Sequence, residues 1–212
     1  MFTQFDTFDP AKRLALTYAK TESRDALTLF LTLDTRLAQI WMKGTEPLIG
    51  QMRMAWWRDA LLKPVSQRPK GEPLFLDMTL LSRDFSASMI HLVDAWYGLL
   101  VHEEWTADVL TAFAMHRSQG IFGGYAQAVA LDDNITEKLV EIGLRWAMRD
   151  ALQYCKTVEQ AELMHSCLPP RSVYTGLPRA ARPLSLLALS AEQTRGGMAP
   201  GIRLLWHGLT GR

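Results

Sequence analysis

The chain has 212 residues, 48% of them hydrophobic and 21% charged, with a formal net charge of +1. That length allows one domain or two small ones, and the composition is that of a folded globular protein. The charge balance excludes nucleic acid as a main partner on compositional grounds. No apolar run approaches the ~20 residues a membrane span needs, and Cys155 and Cys167 have neither zinc-site spacing nor the density of a disulfide frame.

Taken in chain order, the sequence predicts helix nearly throughout. The first residues carry acids and no basic-then-apolar pattern, so a cytoplasmic chain without a signal peptide is expected. Asp9-Pro10 places a capping side chain before a proline at the first helical position, and Leu14, Leu16 and Tyr18 follow. A second helix starts near Ser23 and carries Ala26, Leu27, Phe30, Leu33, Leu37 and Ile40 at helical spacing until Gly44. Glu46-Pro47 opens a third, and Pro64 stops it. On that helix Leu48, Met52, Ala55 and Trp56 share one face, and Ile49, Arg53, Trp57 and Ala60 share its neighbour. The spacing lets the Arg53 guanidinium lie against the Trp57 indole. It also predicts that Met52 and Trp56 pack on Phe30, Leu33 and Leu37.

Residues 65–77 read as a Pro/Lys/Gly loop. A helix over about 83–101 carries Phe85, Met89, Leu92, Val93, Trp96 and Leu100. Thr106 caps the next, which can run to Ala130 through Gly120, Gly123 and Gly124. Those glycines cost roughly 1 kcal/mol each against alanine in a helix, which points to close helix contact, a kink or room for a ligand. Asp132-Asp133-Asn134 caps a helix to about Cys155, and shorter helices follow over 158–167 and 179–192. Strand-like alternation is rare. The fold class is therefore all-α, a bundle of about eight helices.

From Leu168 onward the character changes. Arginines 171, 179, 182, 195, 203 and 212 face the single acid Glu192, with prolines at 169, 170, 178, 183 and 200. The sequence thus divides into a helical body over 1–167 and a basic, Pro/Gly-punctuated tail over 168–212 with one short helix.

Candidate chemistry is sparse. Asp132-Asp133 sits where a helix N-terminus takes negative charge. The five histidines show no metal spacing, and no nucleotide-binding or nucleophile-elbow motif occurs. Residues alone specify a helical domain.

One string goes further. Ala26-Leu-Thr-Leu-Phe-Leu-Thr-Leu-Asp34, then Glu46-Pro-Leu-Ile-Gly50 and Arg53-Met-Ala-Trp-Trp-Arg-Asp-Ala-Leu61, resembles the squalene/phytoene synthase family. Gln119-Gly-Ile-Phe-Gly123 and Gly143-Leu-Arg-Trp-Ala147 resemble two further helices of it. The resemblance covers residues 12–158 and implies a shortened isoprenoid synthase-like bundle around an apolar cavity. In that family two Asp-rich motifs hold Mg²⁺, which neutralises the substrate diphosphates. Here the motif positions fall on Ala38, Gln39 and Met42, and on Asp150, Gln153, Tyr154 and Val158.

The core pattern is kept and the metal-handling positions are not. Leu37-Ala38-Gln39 and Gly50-x-x-Arg53-Met54 are most similar to an Asp-poor branch of assembly factors for respiratory complex I. The resemblance implies a non-catalytic protein with a role in respiratory complex assembly or apolar ligand binding. No catalytic or metal residue and no cofactor is expected, and Asp34, Arg53, Trp57, Gln119 and Asp150 are the candidates for lining a ligand cavity. The implied partners are a respiratory complex subunit or a membrane surface met by the basic tail, and a prenyl, quinone or lipid ligand. The alternative is an active, Mg²⁺-dependent prenyltransferase acting on prenyl diphosphates with acids recruited from Asp34, Asp150 or Asp132.

Overall fold

A computed structural model describes residues 8–44, 46–171 and 173–192. Among them there is no strand, so the architecture is all-α. Helix α1 (Pro10–Tyr18) starts where Asp9 accepts from the amides of Ala11 and Lys12, which satisfies donors the first helical turn leaves open. Helix α2 (Thr21–Lys43) is the longest and is buried along most of its middle. Helix α3 (Pro47–Leu62) begins on its proline. Helix α4 (Pro73–Met78), short and also proline-initiated, lies inside the segment expected to be loop. There the Pro/Gly content hides a turn that buries Leu74, Phe75 and Met78.

Helix α5 (Ser86–Val101) is the hub, packing against α2, α3 and helix α6 (Ala107–Ser118). Then α6 runs through a π turn (Gln119–Gly123) into α7 (Gly124–Ala128). Helix α8 (Asp133–Ala151) carries the Asp132 cap on Ile135 and packs on α6 and on helix α10 (Arg182–Ala191). Helix α9 (Val158–Ser166) is short and mostly exposed.

The glycine-rich segment resolves the choice left by its composition. A Cβ on Gly120 would run into Leu92, and one on Gly124 would meet Ser88 and Phe30. Gly143 of α8 lies against Ser118 and Phe122 in the same way. The glycines let α5, α8 and the π turn approach closely.

Two expectations need correction. Met52 and Trp56 do not join the core, because both are exposed. The packed face of α3 is Gly50, Met54, Trp57, Ala60 and Leu61, and it turns mainly to α5, where Gly50 meets Leu100. Nor does the change in composition at 168 detach α10. Its Leu184, Leu186, Leu187 and Ala188 are buried against α1 and α8, and Arg145 of α8 pairs with Glu192 at 2.5 Å. The apolar run Pro183–Ala188, buried on every side, decides packing there, whatever the charge of the flanking residues. The remainder of the basic segment, 193–212, lies outside the described residues. No helix among the described residues is long and apolar enough to cross a membrane.

Candidate functional site

At the centre of the bundle stands an arginine that no sequence motif announced. Arg117 belongs to the inward row Leu110, Phe113, Ala114, Arg117 and Ser118 of α6, and its side chain is fully buried. An isolated guanidinium there would be prohibitively costly, so its donors must be matched. They are. Its Nε and Nη2 donate to the two carboxylate oxygens of Asp34 on α2 at 2.8 and 2.7 Å, the bidentate fork that suits a carboxylate. Its Nη1 donates to the Ala147 carbonyl of α8 at 2.7 Å, and Nη2 also bonds Asp150.

Aromatic rings close the rest of the shell. The guanidinium carbon lies 4.5 Å from the Trp146 ring centroid, 5.2 Å from that of Trp96 and 5.8 Å from that of Phe113, within cation–π range. Trp96 of α5 also donates from Nε1 to Asp34 at 2.8 Å. Lys12 of α1 completes the set, its Nζ 3.7 Å from Asp150 and 3.4 Å from Asp9.

Two cations thus meet two carboxylates, the buried Asp34 and the partly buried Asp150, and among the described residues no buried side-chain nitrogen or oxygen lacks a partner. Burial alone would push the Asp150 carboxyl up, but Lys12 and then Arg117 hold it below the usual carboxylate range. Burial acts to lower Lys12, and the charge of Asp150 together with Asp34 and Asp9 more than offsets it, leaving the amine above its ordinary value. Arg117 is raised likewise, with Asp34 and Asp150 overcoming the cost of burial.

Of the cavity candidates, Asp34 and Asp150 are brought together, 116 positions apart in the chain, on one guanidinium. Arg53 and Trp57 are elsewhere. With Ile40, Ile49, Met52 and Trp56 they line an apolar groove of about 460 Å³ between α2 and α3. The Arg53–Trp57 stacking that the spacing allows does not form among the described residues. The guanidinium over the Trp57 ring is that of Arg36, 5.9 Å away, since Trp57 turns inward to Phe75 while Arg53 stays exposed. Gln119 opens the π turn and belongs to neither place. A cleft of about 600 Å³ reaches the cluster from outside, lined by Asp9, Lys12, Trp146, Arg149, Asp150 and Gln153 among others.

The residues at the centre do not fit Mg²⁺. The cation needs near-octahedral oxygen ligands with free lone pairs. Both carboxylates already accept from cationic donors, and a second cation beside Arg117 would meet repulsion in a medium that screens it little. Among the described residues no three His, Cys, Asp or Glu side chains stand together as a metal-ligating group.

The sequence placed Trp96 and Trp146 on helices but gave neither them nor Arg117 and Lys12 a part in a site. The available signal was Arg117 itself, a charged residue at an inward position of an otherwise apolar row. No protein family, curated protein or solved structure matches the chain.

Proposed function

We propose that the chain is a non-catalytic protein of the squalene/phytoene synthase type, acting in the assembly of a respiratory membrane complex. The observation that supports this reading is the engagement of Asp34 and Asp150 by Arg117. A diphosphate leaving group needs metal or cationic donors free to meet it as charge develops. Here the cation is fixed to its own carboxylates, and Trp96, Phe113 and Trp146 fill the space around it. That filled centre also disfavours a deep prenyl-chain carrier and moves the apolar contact surface outward to α3.

Two measurements test the reading. Purified protein incubated with farnesyl or geranylgeranyl diphosphate and Mg²⁺ is expected to release no diphosphate and form no condensation product. Turnover that disappears in Asp34→Ala or Asp150→Ala would establish the prenyltransferase alternative. Loss of the chain from its host is expected to lower the amount of assembled NADH:ubiquinone oxidoreductase on native gels. Unchanged assembly would remove the assembly role.

A further inference from the structure

Three segments of the chain enclose a cavity of about 690 Å³, within the size range of small-molecule sites. The junction of α1 and α2 contributes Tyr18, Lys20 and Ser23, the end of α7 contributes Tyr125 and Ala128, and Arg179 comes from the turn before α10. No lining residue is shared with the cleft that reaches the cluster around Arg117. The floor is polar and already satisfied. Ser23 and Tyr125 are both buried. The Ser23 hydroxyl donates to the Lys20 carbonyl at 3.0 Å, and the Tyr125 hydroxyl bonds Ser23. Both hydroxyl protons are thereby engaged. The rim is different. Lys20 and Arg179 are exposed, and neither side chain makes a hydrogen bond or an ion pair among the described residues. Glu22 is the acid of the lining.

We propose that this cavity binds a small organic anion, a carboxylate or phosphate group carried on an apolar body. Two cations against one carboxylate leave the lining positive, and a concave positive surface concentrates anions. With the hydroxyl protons of the floor engaged, the donors left for an anionic head are the Lys20 ammonium and the Arg179 guanidinium. The guanidinium fork suits a carboxylate and a phosphate alike. The body has an apolar surface to meet in Ala19, Ala128, Val129 and Ala180. Few polar groups on a mainly apolar wall are the usual composition of a site that orients a small ligand. The proposal is independent of the role given to the buried cluster, because none of these residues belongs to it.

Titration calorimetry on the full chain at low salt tests it, with benzoate and phenyl phosphate as probes. At least one probe is expected to bind once per chain, and the better of the two identifies the head group. Lys20→Ala and Arg179→Ala should each weaken that binding about tenfold, the effect of losing one charge-assisted hydrogen bond. Both positions are exposed, so the melting temperature without probe should not move. Arg53→Ala, which removes an exposed cation of α3, should leave binding unchanged. Ala128→Trp, with helicity checked by circular dichroism, should abolish binding by filling the cavity. Inorganic phosphate, which has no apolar body, should bind at least about tenfold more weakly than the better probe. Absence of saturable binding of both probes at millimolar concentration overturns the proposal. So does binding that neither Lys20→Ala nor Arg179→Ala weakens, or that survives in folded Ala128→Trp. Inorganic phosphate bound as tightly as the better probe removes the apolar wall from the site and overturns it equally.

Discussion

Arg117 illustrates how one side chain can set the character of a protein's interior. Replacing it with Met removes the cation, leaving the buried Asp34 with the Trp96 indole N–H and Asp150 with Lys12 as its remaining cation. We expect a loss of about 3–5 kcal/mol in urea titrations at neutral pH, the range for breaking a buried pair from one side. Arg117→Met combined with Asp34→Asn should cost less than the two single changes added together, because the partners share one network. The two adjacent tryptophans make a second contrast. Trp57→Ala should cost about 3–5 kcal/mol, the range for a truncated core aromatic. Trp56→Ala, at an exposed position, should move the protomer's stability little. Thermal melts distinguish them. At this scale the sequence was only half legible. It marked Asp34 and Asp150 as isolated acids but could not show them converging, because their meeting depends on how α2, α6 and α8 cross.

Among the helices, α5 and α6 are joined by a contact that titrates. His91 and His116 face each other with Nδ1 atoms 3.2 Å apart, both half-buried. A hydrogen bond across that gap needs one ring to donate and the other to accept, so it is lost when both are protonated. Burial first, and then the charge of His116, hold His91 below its ordinary value, while Asp94 opposes them; Asp94 is itself bonded to Arg58 of α3. For a histidine with a lowered folded pKa the unfolded chain binds protons first. The associated stability is therefore complete above about pH 6.5 and is lost as pH falls through the lower folded value. His91→Phe should flatten that part of a stability profile measured between pH 7 and 5; a wild-type profile with no slope there would contradict the coupling. Element boundaries were largely readable from caps and prolines. Asp9, Glu46-Pro47, Thr106 and Asp132 begin helices as expected. The π turn was not readable, since glycine content alone does not say which neighbour comes close.

For the molecule as a whole, the composition of the last segment was a poor guide to its place. Arginines and prolines suggested a tail, yet α10 packs on α1 and α8 through the continuous buried run Pro183–Ala188. The all-α class was legible throughout, in the absence of alternating stretches. The two faces of α3 looked like one broad apolar surface on a helical wheel, and only the position of α5 shows which of them the protomer uses.

The central cluster also orders the making of this protein in time. Arg117 bonds Asp34 across a separation of 83 residues and Asp150 across 33, while Lys12 of α1 waits for Asp150 of α8. A growing chain exposes α1 long before α8 and α10 exist to receive it, so α1 can consolidate only after both have been made. Contacts of such long range close late because loop entropy must be overcome first. In pulse-labelled refolding, the amides of α1 should gain protection after those of α5 and α6. Protection of α1 in the earliest phase would mean that it finds a different resting place before the cluster forms.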